Sequence, residues 1–152
     1  MPSTTEYPLK SIHVQKALAL VVLLLGGWCL LFPATVEALV IRPDYYVGNA
    51  TSALFVACFG AQAMLCGTVI YTSRFLPRTF LVFGLLASVP FFGFNYYFYF
   101  IKGMFTDWML LDFAGNLAIL ALSLLGYRLC VREATAARSV PANGSSVHRS
   151  PE

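Results

Sequence analysis

Four runs of about twenty mostly apolar residues, at 17–36, 53–71, 80–101 and 109–129, leave this chain few ways to fold. A helix closes its backbone hydrogen bonds within itself and needs about 20 apolar residues to cross ~30 Å of hydrocarbon. Each run therefore reads as a membrane-spanning helix. Only 11% of the 152 residues are charged, against roughly 25% in soluble domains, which excludes a soluble globular domain. The hydrophobic share of 59% excludes disorder outside the tail.

The expected fold is all-α: a polytopic membrane protein with four transmembrane helices in an antiparallel bundle. A polar segment at 37–52 and short turns at 72–79 and 102–108 connect the spans, and turns this short favour antiparallel neighbours. The expected organisation is an N-terminal cytoplasmic segment at 1–16, a transmembrane domain at 17–129 and a disordered, solvated cytoplasmic tail at 130–152.

Cytoplasmic loops are enriched in Lys and Arg. Of the ten such residues, Lys10, Lys16, Arg74, Arg78, Arg128, Arg132, Arg138 and Arg149 fall on one side of the spans, and Arg42 and Lys102 on the other. This division places both termini in the cytoplasm. Glu37, Asp44, Asp107 and Asp112 then lie towards the outer side. The first run also imitates a secretory signal, with Lys10 and Lys16 before it and Val36-Glu37-Ala38 as a cleavage sequence. Its length favours an uncleaved helix, since cleavage would leave three spans.

Two sequons, Asn49-Ala50-Thr51 and Asn143-Gly144-Ser145, are separated by an odd number of spans, so at most one faces a lumen. Asn143 is expected in the cytoplasm and unmodified. Asn49 reads either as an N-glycosylation acceptor or as an ordinary asparagine at the start of a helix. Cys130, between Arg128 and Arg132 at the inner boundary, is a palmitoylation candidate. Cys29, Cys58, Cys66 and Cys130 show no CxxC spacing, and His13 and His148 are isolated, so no disulfide framework, metal site or cofactor is expected. A net charge of +3 without a basic, aromatic-interleaved stripe argues against a nucleic-acid partner.

Polar residues within spans usually face the bundle interior. In the fourth run Asp112, Gly115, Asn116, Ile119, Leu122, Ser123 and Gly126 share one stripe at helical spacing. In the third, Gly84, Ser88, Asn95 and Tyr99 share a face, with Pro90 between them. Ala57, Gly60 and Ala61 belong to a small-residue stripe on the second, with Gln62 beside it, and Gly26, Leu30, Pro33 and Glu37 align on the first. Glu37, Asn95 and Asp112, with the loop residues Arg42, Asp44, Lys102 and Asp107, are expected to converge near the outer helix ends. Residues 91–100 contain eight aromatics, a number that suits an interfacial belt and leaves some rings for a pocket wall beside Asn95.

The polar cluster has two readings. In the structural one, Asp112 pairs with Lys102 or Arg42 and Asn116 bonds Asn95. In the functional one, Asp112 is the acid or base, and Asn95, Asn116, Glu37 and Tyr99 bind a substrate. No established catalytic motif is present, and no motif singles out a family. The expected function is a binding, accessory or assembly role, with the lipid bilayer, a lipophilic ligand, a second copy or another membrane protein as partners. The alternative is a membrane-embedded enzyme or carrier acting on a lipophilic molecule at Asp112.

Overall fold

The computed structural model describes residues 9–139. The chain is all-α, in the order α1 (Ser11–Leu31), α2 (Pro33–Val40), a 3₁₀ turn (Pro43–Tyr45), α3 (Ala50–Thr72), α4 (Pro77–Tyr96), a π-helical turn (Tyr97–Ile101) and α5 (Met109–Ser139). Four stretches, Ser11–Leu31, Ala50–Thr72, Pro77–Ile101 and Met109–Arg138, are long and apolar enough to cross a membrane.

Two boundaries differ from the sequence reading. The run at 17–36 is divided, because a residue before proline is pushed out of the α region. Phe32 sits at φ −131°, ψ 50°, and Pro33 opens α2 from its first turn, where a missing N–H costs nothing. At the other end, α5 continues past Cys130 to Ser139, so the part of the expected tail at 130–139 is helical. Glu133 within it accepts from the Ser11 backbone N–H at 2.8 Å and from the Ser11 hydroxyl at 2.7 Å. A carboxylate at the start of α1 meets unpaired N–H groups and the positive end of the helix dipole. The remainder of the tail, with Asn143 and His148, lies outside the described residues.

Helix α1 is central. It packs against α3 and against α5, α4 packs on α5, and α2 lies on α3. The core joins Leu18, Ala19 and Val22 of α1 with Ile70 of α3 and Ile119 of α5, and Phe75, Phe83, Ala87 and Leu122 pack around them. Small residues permit the closest approaches. A Cβ built on Gly60 would lie 2.4 Å from the Leu30 amide nitrogen and 2.7 Å from the Gly26 carbonyl oxygen, so α1 and α3 touch backbone to backbone. Between α4 and α5, a Cβ on Gly84 would meet Ser123 and one on Gly126 would meet the Phe80 ring. The stripe expected on α5 is its packed face, with Asn116, Ile119, Ser123 and Gly126 all buried.

Candidate functional site

The end of the molecule that carries the α2–α3 and α4–α5 connections gathers most of the expected site residues. Arg42 and residues 104–106 tie these two connections together. The Arg42 N–H donates to the Met104 carbonyl at 2.9 Å, the Thr106 N–H donates to the Val40 carbonyl at 2.8 Å, and Ile41 and Phe105 form an antiparallel bridge. Arg42 Nε donates to the Phe105 carbonyl at 2.9 Å, and the Thr106 hydroxyl donates to the Leu39 carbonyl. The turn at 102–104 needs a left-handed residue, and Gly103 supplies it at φ +61°. In the π-helical turn before it, the Lys102 N–H donates to the Tyr97 carbonyl at 2.9 Å.

Beneath this clamp, Asn95 and Asn116 close on Asp112. Asn95 Nδ2 donates to Asp112 Oδ2 at 2.9 Å, and Asn116 Nδ2 donates to the same oxygen at 2.8 Å and to the Asp112 carbonyl at 2.8 Å. The Ser88 hydroxyl donates to the Asn116 carbonyl at 3.0 Å. Ser88, Asn95 and Asn116 are buried, and Asp112 is half-buried. Helical spacing explains half of this arrangement, since Asp112 and Asn116 lie one turn apart on one face. The other half comes from α4, whose buried face carries Ser88 and Asn95.

Neither expected pairing of Asp112 is the one the structure makes. Arg42 is turned to the Phe105 carbonyl, and the Lys102 ammonium stands 5.7 Å from the centroid of the Tyr97 ring. Asn95 and Asn116 are joined through Asp112 instead of directly. Multiple amide donors satisfy a carboxylate oxygen without a buried cation, whose own desolvation would be costly.

Glu37 has a different job. It is buried and reaches the start of α3, where its Oε2 accepts from the Ser52 hydroxyl at 2.9 Å and its Oε1 from the Gly48 N–H at 3.3 Å. Asn49 is the N-cap of α3, its Oδ1 accepting from the Ser52 N–H at 2.8 Å while the Ser52 hydroxyl lies 3.2 Å from the Asn49 N–H. Tyr99 donates its hydroxyl to Asp107 Oδ1 at 2.7 Å, away from Asp112, and Asp44 is exposed in the 3₁₀ turn. Cys130 is half-buried at the opposite end, its thiol 3.8 Å from the Phe75 carbonyl oxygen. Gln62 lies exposed on the outside of α3.

The aromatic stretch divides as its all-round distribution suggests. Phe92 packs on Phe113 at 5.2 Å between centroids, and Phe94 and Phe98 pack on the buried Phe105 at 5.8 and 5.7 Å. Tyr96 and Phe100 remain exposed.

Sequence reasoning missed one feature. Gln15 is 2% exposed and holds the α3–α4 connection: Nε2 donates to the Ile70 and Ser73 carbonyls at 2.6 and 2.7 Å, and Oε1 accepts from the Phe75 N–H at 3.0 Å. Its signal was its place on one helical face with Leu18, Ala19 and Val22.

Two buried polar oxygens at this face, Asn95 Oδ1 and Ser123 Oγ, have no hydrogen-bond partner among the described residues. Surface hollows occur beside Val82 and Leu86 of α4 and between Leu20 of α1 and Tyr71 of α3, and neither is lined by Asn95, Asp112 or Asn116. Among the described residues no group of three or more His, Cys, Asp or Glu side chains is placed to hold a metal ion. Comparison of the chain with protein-family models, with curated proteins and with solved structures returns no match.

Proposed function

We propose that this is a multi-pass membrane protein with an assembly role, its four spans crossing as an antiparallel bundle with both termini in the cytoplasm. The cationic residues support that orientation. Lys10, Lys16, Arg74, Arg78, Arg128, Arg132 and Arg138 flank the spans on the side of Ser11 and Glu133, while Arg42 and Lys102 flank them on the side of Asp107.

One observation carries the functional reading. The group with the most scope for chemistry, Asp112, is engaged in holding α4 to α5, because its Oδ2 takes both Asn95 and Asn116. The polar interior thus serves the fold, and the lipid-facing surfaces of the spans are left for partners. Chemical cross-linking of an affinity-tagged chain in its own membranes tests this. Wild type and Asp112→Asn are expected to give the same covalent assembly in similar yield. A wild-type chain recovered only as monomer would contradict the reading, as would an assembly lost in a fully folded Asp112→Asn variant.

A second reading draws on a separate observation. Asn95 Oδ1 is buried beside Asp112 without a partner among the described residues, and a lipophilic molecule with a hydroxyl or amine head would satisfy it, with Asp112 as acid or base. In that case Asp112→Asn abolishes retention or turnover of the molecule while the fold persists. A variant that only melts earlier would make Asp112 structural.

A further inference from the structure

Helix α3 has two opposite faces, and the described residues pack closely against one of them. Gly60, Gly67 and Ile70 are buried on the side that meets α1. On the far side Phe55, Cys58, Gln62, Leu65 and Val69 are all exposed, Phe55 at 71% and Leu65 at 59%. Their spacings run three, four, three, four, the a/d repeat of a two-stranded coiled coil.

Gln62 lies near the middle of α3, where the hydrocarbon would be deepest. Among the described residues nothing hydrogen-bonds its amide. The polar neighbours on the same helix behave differently: the Thr68 and Thr72 hydroxyls return to the Met64 and Thr68 carbonyls at 2.8 and 2.9 Å. An amide left unsatisfied in hydrocarbon is costly, and polar side chains in spans characteristically bond across helices. The described residues thus leave Gln62 to be covered from elsewhere.

The observations favour a second copy. A glutamine amide both donates and accepts, so it is complementary to itself. Two copies inserted the same way present their α3 helices parallel, and a parallel two-stranded seam brings each a position to its own equivalent. Gln62 occupies one a position among apolar neighbours, the placement by which a single polar residue specifies register and dimer. Resting on the assembly reading above, we propose that α3 is the homodimer helix, with Phe55, Cys58, Gln62, Leu65 and Val69 packed on the same residues of a second copy and Gln62 bonded to the partner's Gln62. The seam is not the expected Ala57–Gly60–Ala61 stripe, because Gly60 is already against α1.

Cysteine cross-linking reads the register directly. Cys58 falls at a d position on the seam and Cys66 beside it, and both are free and exposed. Chains that keep only Cys58 or only Cys66, the other cysteines replaced by serine, are oxidised in membranes with copper phenanthroline. Oxygen takes the two electrons and two protons as the disulfide forms. The Cys58 chain is expected to become a disulfide-linked dimer at least several-fold faster than the Cys66 chain. Gln62→Leu in the Cys58 background is expected to weaken association roughly tenfold, and Gln62→Asn to restore part of it. Equal cross-linking of both cysteines, or none at Cys58 in a chain whose native mass is a dimer, would overturn the α3 seam and leave the assembly reading standing. A native mass of one chain would overturn both.

Discussion

Gln15 is the residue whose loss the fold should feel most. Its three hydrogen bonds satisfy two carbonyls and one N–H where α3 ends and the turn to α4 begins. Gln15→Leu keeps the volume and removes the partners, leaving buried backbone groups unpaired, so a loss on the order of 3 kcal/mol is expected in thermal unfolding in detergent. A change below about 0.5 kcal/mol would mean that water replaces the side chain without cost. Asp112 offers a graded comparison. Asp112→Asn retains an oxygen to accept from Asn95 and Asn116, and interhelical bonds of this kind average about 0.6 kcal/mol. Asp112→Leu strands the Asn95 amide, while Asn116 keeps its bond to the backbone carbonyl at position 112, and should cost about 1–3 kcal/mol. The sequence showed that Asp112 and Asn116 share a face, because helical spacing alone decides that. It could not show that Asn95 joins them in place of Lys102 or Arg42, because that depends on how α4 sits along α5. Gln15 escaped notice for a related reason: it precedes the apolar run, and only the continued helix puts it on the buried face with Leu18.

Among the helices, the α1–α3 crossing is the one where backbone meets backbone. Gly60→Ala puts a methyl group 2.4 Å from the Leu30 amide nitrogen, a backbone atom that cannot rotate away. Overpacking of this kind costs about 1–3 kcal/mol. Gly93→Ala is the matched control, because a Cβ there meets nothing within 4 Å. Alanine also suits a helix interior better than glycine by about 1 kcal/mol, so Gly93→Ala is expected to leave the melting temperature unchanged or raised. If both variants melted alike, the close approach of α1 to α3 would be wrong. The small-residue stripe was legible in sequence, but its partner was not, since a stripe of glycines suits an internal neighbour and an external one equally well. Pro33 was legible too. Its effect was underread because composition does not distinguish a run that passes through a proline from two helices that meet at one.

Seen whole, the chain places α1 against both α3 and α5, with α4 packed on α5 and its Phe91 ring 6.2 Å from that of Phe59 on α3. Each end is closed by a tie: Ser11 to Glu133 at one, and Ile41 to Phe105 at the other. The four apolar helices and their approximate limits were readable because hydrocarbon thickness sets a length that composition reveals directly. The order of packing was only partly readable: the sequence-adjacent pairs α1–α3 and α4–α5 do pack closely, but nothing in the spacing shows that α1 also packs on α5. The orientation proposed for the bundle predicts that a membrane-impermeant thiol reagent applied to intact cells labels Asp44→Cys and spares Arg138→Cys, in chains otherwise free of cysteine. The reverse pattern would invert the topology. The central claim is that the Asp112 node holds the helices together while the outward faces make the assembly. Native mass spectrometry of wild type and Asp112→Asn, extracted in a mild detergent, tests it most directly. The account predicts the same oligomer mass for both, with no small molecule retained by one and absent from the other. A lipophilic molecule bound to wild type and missing from Asp112→Asn would contradict it and make the node a ligand site.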